Sequence, residues 1–386
     1  MSMGRLAARV AALPAGMRAR FERIFDLVVA EGQIVPPPAM HDWIAGHFGS
    51  VEAVRQQRVV RVTNKVTHEG ALFNEIRARR PQQAPGGDAD LERLLAERAG
   101  GDFCHPQEST PADVFGRIRG RFSTTAANVA KGDGWHGVVI FDEHHPLHFN
   151  QAQVSDYVDT AQAWLRAAHE ADPAARYPFF IWNCLWRSGA SILHGHAQVT
   201  LTRGRHYAKV EAWRQAAARY RQRHGSDYFA DLAAVHRALG LALEHGSPPD
   251  SKSSPDRRSP PDRRSPPDRR SALILPSLTP FKEMETLVIA PRLDDDLKSA
   301  LYLVLRTFID RLGVQSFNLA LYQPPLAETP EDWSGFPHLL RIISRGDLSS
   351  KNSDIGAMEI FAQSVVATDP FHVVRALAAT QGEIER

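Results

Sequence analysis

The stretch "NCLWRSGASILHGHAQVTL", residues 183–201, holds the residues most able to do chemistry. His194, His196 and Gln198 recur at every second position, behind glycine, alanine and serine. In a strand, where side chains alternate between faces, His194, His196, Gln198 and Thr200 share one face, and Gly195, Ala197, Val199 and Leu201 the other. The second face can pack on a core. The first is a polar ridge that a metal, a phosphate or backbone carbonyls must satisfy. A neutral imidazole can attack phosphorus to give a phosphoramidate, provided one ring nitrogen faces the phosphorus and an acceptor fixes the other. Gln198 could donate to a phosphoryl oxygen without titrating. The "SGAS" run leaves room for backbone amides and the Ser191 hydroxyl to approach the same oxygens. A His-x-His pair alone also fits a surface pair or a zinc pair, but the row supplies no further ligand.

The elements that must hold this row can be read around it. "HGVVIFDEHHPLHF" reads as a strand, and "VSDYVDTAQAWLRAAHEAD" as a helix with Val154, Tyr157, Ala161 and Leu165 on one side. "YPFFIWNC" and "HGHAQVTL" read as two more strands. The order strand, helix, strand, strand returns in "METLVIAPR", "DDLKSALYLVLRTFIDRLG", "SFNLALYQ" and "HLLRIIS", which predicts an internal duplication with the row in the first copy only. One or two long helices are expected between the copies, from "RHYAKVEAWRQ" onward. The expected class is α+β, an antiparallel sheet flanked by helices. Its parts are a helical N-terminal extension (1–55), a first half with the active-site strand (56–245), a linker (246–271) and a second half (272–386). The linker repeats SPPDRR, so proline blocks regular structure and nothing apolar can be buried; a disordered, extended segment is expected there.

Composition bounds the rest. The 386 residues suit two lobes, and the 43% apolar fraction supports a sizeable core. Lysine plus arginine number 46 against 44 acids, so the net charge of +2 argues against nucleic acid as a partner. No apolar run of about 18 residues is present, so no membrane span is expected. The N-terminus reads as an amphipathic helix rather than a signal peptide. Two cysteines, Cys104 and Cys184, build neither a disulfide framework nor a four-cysteine zinc site, which makes a reducing cytoplasm the expected compartment.

The pattern N-x5-G-x-S-x2-H-x-H-x-Q, carried by Asn183, Gly189, Ser191, His194, His196 and Gln198, resembles the active-site strand of galactose-1-phosphate uridylyltransferases, the nucleotidyltransferase branch of the histidine-triad superfamily. A second stretch, "TNKVTHEGALFNEIRARRPQ", resembles the family's N-terminal motif through Asn64, Thr67, Arg77, Arg80 and Pro81. The resemblance implies duplicated histidine-triad halves, His196 as nucleophile and Gln198 on the phosphoryl group. It also implies Ser191 and Asn183 near the phosphates, Arg77 and Arg80 as forked phosphate donors, and Asn128 as a ribose or phosphate contact. The family's zinc ligands map onto Cys104, His145 and His194, with Gly101 where a second cysteine would stand; a structural zinc is therefore an open expectation, and no cofactor is required. The sugar-side strand keeps only Gln323 and His338.

The implied activity is nucleotidyl transfer by double displacement. Substrates are a nucleotide and a phosphate or sugar phosphate, and a homodimer stays open. ADP-forming adenylyl transfer to inorganic phosphate, from adenylylsulfate as in adenylylsulfate:phosphate adenylyltransferase or from a dinucleoside polyphosphate, is preferred because the sugar side is depleted. A hexose-1-phosphate uridylyltransferase, a sugar-nucleotide phosphorylase and a silent nucleotide-binding protein are the alternatives.

Overall fold

Apolar residues at every second position build the strands of a computed structural model that describes residues 2–79, 90–246, 271–350 and 352–385. In chain order these are β1 (Phe25–Gln33), β2 (Gln56–Asn64), β3 (Gly70–Phe73), β4 (Ser123–Ala127), β5 (Trp135–Phe141), β6 (Ala175–Cys184) and β7 (His196–Arg203). They continue with β8 (Leu243–His245), β9 (Ala272–Pro276), β10 (Thr286–Ala290), β11 (Phe317–Tyr322), β12 (His338–Ser344) and β13 (Ser364–Val366). Nine of them form one sheet in the order β4-β5-β7-β6-β11-β12-β10-β9-β8, with every pair antiparallel.

That order carries the duplication. The run β5-β7-β6 is mirrored by β11-β12-β10, and the halves meet where β6 pairs with β11. Each half has one crossover helix, Gln151–Ala171 and Asp295–Arg306. Both helices pack on the same face of the sheet, in a core that includes Tyr157, Trp164, Leu165, Leu301 and Val304. Val154, Tyr157, Ala161 and Leu165 are buried as the helical periodicity requires. The first helix starts on a capping box from Asn150 and Gln153, which satisfies its orphan amides. Gly137 of β5 lies so close to this helix that a Cβ there would stand 2.6 Å from the Trp164 ring. The segment expected to hold one or two helices holds two, Ala208–His224 and Tyr228–Leu239, and these cover part of the other face in a second core with Trp213, Tyr228, Leu275 and Leu339.

The N-terminal extension departs from the expected helix. Helix Ala15–Ile24 gives way directly to β1, which pairs along its whole length with β2. β3 and β13 complete a second, four-stranded sheet. "FDLVVAEGQ" has no alternation to mark it as a strand because most of β1 is exposed on both faces; its partner, not its own pattern, makes it one. The boundary expected at 55/56 therefore falls between two paired strands. β13, from the end of the chain, joins this sheet in parallel to β3. The SPPDRR repeats and Arg80 lie outside the described residues. No helix among the described residues is long and apolar enough to cross a membrane.

Candidate active site

The His-x-His-x-Gln row sits on the sheet face opposite the crossover helices. β7 begins at His196, so His194 precedes the strand rather than sharing its pleat. The ladder is nevertheless continued by one bond, from the Phe141 amide to the Gly195 carbonyl at 3.0 Å. Gly195 is required at this point, because a Cβ would meet the Phe141 ring at 2.8 Å and the Glu143 carbonyl at 3.2 Å. The turn entering the row is tight. Leu185 (φ 67°) and Gly189 (φ 95°) are both left-handed, and they leave Ser191 exposed at the rim of a cavity of about 580 Å³ that Phe103, Cys104, His144 and His194 also line.

The tautomer of His196 is fixed. Its Nδ1–H donates to the His194 carbonyl at 2.8 Å, which leaves the Nε2 lone pair free. The ring is 7% exposed, and burial pushes its pKa below the ordinary imidazole value, so it stays neutral and nucleophilic at neutral pH. Phe103 presents its ring to His196 at near right angles, 5.3 Å between centroids.

Gln198 is oriented by a residue the sequence reading missed. His136 on β5 accepts the Gly132 amide N–H at Nδ1 (2.9 Å), so its proton resides on Nε2 and is donated to Gln198 Oε1 at 3.0 Å. With its oxygen committed, Gln198 offers its two amide protons to a ligand. Asn128, half-buried, has its Oδ1 held by the Ala130 N–H at 3.0 Å, and its Nδ2 lies 3.2 Å from the same His136 nitrogen. Both are donors there, so the Asn128 protons find no acceptor on His136.

Asn183 is set in the same way from the second half. Asn318 donates from Nδ2 to Asn183 Oδ1 at 2.6 Å, Arg345 donates to Asn318 Oδ1 at 2.6 Å, and Asp354 holds Arg345 through two bonds of 2.8 and 2.9 Å. Asn318 faces Asn183 in register across the β6–β11 seam, so the duplication itself was the signal that could have found it. Three amide side chains, Asn128, Asn183 and Gln198, thus have their oxygens occupied by protein. Arg77 is exposed and lines an apolar groove with Met40 and Trp43, a groove that no residue of the row lines.

The expected metal ligands need one correction. Cys104, His144 and His194 converge, whereas His145 points elsewhere: it stacks on His148 at 3.6 Å and bonds to Glu92 at 3.2 Å. The adjacent histidines of "DEHHPLH" cannot be told apart by spacing; the turn after β5 decides between them. His194 donates from Nε2 to the Phe141 carbonyl (2.7 Å) and His144 from Nε2 to the Leu95 carbonyl (3.1 Å). Their Nδ1 lone pairs therefore face each other at 3.0 Å, each 3.4 Å from the Cys104 sulfur. Two lone pairs at that distance repel unless a proton or a cation lies between them. A tetrahedral ion bound at about 2.0–2.3 Å has ligand–ligand edges of about 3.3–3.6 Å, so the donor set fits zinc with one position left over. Burial holds His194 below its ordinary pKa, which keeps it a free ligand.

This arrangement, two strand-helix-strand-strand halves fused into one sheet with the row at an inner strand, is a fold that the chain shares with solved structures. In particular, the chain is similar to an ADP-glucose phosphorylase from Arabidopsis thaliana solved with bound ADP-glucose, at 15% identity and a TM-score of 0.57, over 81% of this chain and 95% of that one. It is also similar to a GalT-like protein from Arabidopsis thaliana (16%, TM-score 0.52, 72% and 91%) and to a uridylyltransferase (16%, TM-score 0.51, 71% and 89%). No family model and no curated protein matches the sequence.

Proposed function

We propose that the chain is a nucleotidyltransferase acting by double displacement through a nucleotidyl-His196 intermediate. The observation that carries this reading is the fixed tautomer of His196: Nδ1–H is tied to the His194 carbonyl, and Nε2 is left neutral and unprotonated. In the first step Nε2 bonds to the α-phosphorus of a nucleotide anhydride. The phosphorus–oxygen bond to the leaving group breaks, and its electron pair departs on that oxygen. In the second step an acceptor oxygen bonds to the phosphorus and the pair of the broken P–N bond returns to Nε2. Gln198, Asn183 and Asn128 offer amide protons to the phosphoryl oxygens, and Ser191 its hydroxyl. Arg77 and Arg80 remain proposed anion donors.

Amides stabilise charge without supplying a proton, so the set suits leaving groups and acceptors that are stable as anions. The preferred reaction is adenylyl transfer to inorganic phosphate, forming ADP from adenylylsulfate, a dinucleoside polyphosphate or a sugar nucleotide. Similarity to a phosphorylase that holds ADP-glucose supports phosphate as acceptor. Hexose-1-phosphate uridylyltransfer is the second reading, and the likeness to uridylyltransferases favours it. Cys104, His144 and His194 are proposed to hold a structural zinc that ties the segment bearing Phe103 to the row. The test is to incubate the protein with α-labelled adenylylsulfate, ADP-glucose, diadenosine tetraphosphate or UDP-glucose. An acid-labile, base-stable mononucleotide adduct is expected, absent from His196→Asn. Failure of every donor to label the wild type refutes the covalent mechanism and leaves a nucleotide-binding protein.

A further inference from the structure

Helix Ala208–His224 treats its arginines in two ways. On one side Arg214 pairs with Glu211 and Arg221 with Asp332. On the other, Arg219 and Arg223, one turn apart, have no carboxylate within ion-pair distance among the described residues, and like charges at this spacing repel. Both line a cavity of about 660 Å³ together with His224, Arg23 from helix Ala15–Ile24, and Lys65 and His68 from the turn between β2 and β3. Among the described residues, Glu22 is the single carboxylate in its lining. The nearby Asp231 is already taken by Arg20 at 3.1 Å, by the Tyr220 hydroxyl at 2.8 Å and by Ser226 at 2.7 Å. The positive fields of Arg23, Arg223 and Lys65 all bear on the His224 ring, so these side chains crowd one space. In a chain with 46 basic and 44 acidic residues, cations from three separate elements without a carboxylate partner among the described residues are out of proportion; Lys65 Nζ donates only to the Glu22 carbonyl and Arg219 only to Gln215 Oε1.

The turn that presents Lys65 and His68 is rigid. Asn64 Oδ1 accepts the amide protons of Val66 and Thr67 at 2.9 and 3.1 Å, and the Asn64 Nδ2 donates to the Tyr228 hydroxyl at 2.8 Å. His68 has φ 61°, a left-handed conformation that costs an L-residue about 1–2 kcal/mol relative to the right-handed one. Glycine would remove that cost, but the position carries an imidazole facing the groove instead.

We infer that this groove is a second anion site, distinct from the cavity at Ser191 and His194, for a linear phosphate chain bearing several charges. A cavity of about 660 Å³ has room for more than one phosphate, and a chain of three offers oxygens to cations on two helices and a turn with forked guanidinium bonds. None of the lining residues lines the cavity at Ser191 and His194, and none belongs to the row, so the inference stands apart from the proposed reaction.

Titration calorimetry with inorganic tripolyphosphate tests it, using the full chain at low and at physiological salt. Wild type should bind at a single site with affinity that falls steeply with salt, and His196→Asn should bind equally well. Arg219→Gln/Arg223→Gln and, from the other side of the groove, Lys65→Gln should each weaken binding about tenfold or more. An ATP arm separates the sources: equal affinity assigns the chain alone, and tighter ATP assigns a nucleotide. Undiminished binding in both sets of variants, loss of binding in His196→Asn, or no binding at millimolar ligand would overturn the inference.

Discussion

His136 should matter only through Gln198. Its Nε2–H clamps Gln198 Oε1 at 3.0 Å, and its own Nδ1 is fixed by the Gly132 amide. His136→Phe keeps a ring of similar size and removes the clamp, so the Gln198 amide can turn over and present its oxygen to a phosphoryl oxygen. A neutral hydrogen bond is worth about 1 kcal/mol, so the formation of the nucleotidyl-His196 adduct should slow about fivefold. Gln198→Ala removes a bond to a charged group outright, about 1.5–3 kcal/mol, or roughly ten- to 150-fold. The decisive quantity is the coupling. In a Gln198→Ala background the His136 substitution should cost almost nothing, because nothing remains to orient. The assay is single-turnover labelling with an α-labelled donor at saturation, for the two single variants and the double. Additive losses would show that His136 acts on the reaction by itself, and the orientation mechanism would be wrong.

Other consequences are equally accessible. Purified protein should carry zinc by elemental analysis, and cobalt-substituted protein should show a thiolate-to-metal charge-transfer band that Cys104→Ser and His144→Ala abolish while His145→Ala retains it; a band lost with His145 would reverse the ligand assignment. Burial lowers the pKa of His206 and His236 from 6.5 to about 4. A depressed histidine contributes its stability in full above the unfolded value and loses it as pH falls toward the folded one, on the order of 3 kcal/mol each. Urea unfolding should therefore weaken between pH 6.5 and 4, and His236→Leu, which also removes a buried unpaired Nε2, should flatten that slope; a slope parallel to wild type would contradict the assignment. Gly195→Ala should destabilise the chain by about 1–3 kcal/mol, since the Phe141 ring and Glu143 carbonyl would have to move. His245 and Ala272 are cross-strand partners, so replacing residues 247–270 by a two-residue Asn-Gly turn should leave the melting temperature nearly unchanged; loss of folding would show that the repeats pack against the domain.

What the sequence determined by itself was local and periodic. The helix at 151–171 followed from its apolar spacing, and the duplication from the repeated order of elements. The need for an acceptor on the second nitrogen of a nucleophilic His196 followed from chemistry, and the structure supplied it as the His194 carbonyl. Tertiary structure decided whatever depended on which strands became neighbours. β1 is a strand because β2 lies beside it, although its own pattern is nearly all exposed. His136 meets Gln198 because β5 and β7 pair with Val138 opposite Gln198, and Asn318 meets Asn183 because the two halves join at β6 and β11. His144 rather than His145 turns to Cys104 because one turn after β5 aims it, a matter of backbone direction that residue spacing does not encode. Side-chain type and period are written in the chain one residue at a time. Partnership across a sheet is fixed only when loop closure and core packing select one strand order among many, and the residues that orient the site belong to that second kind.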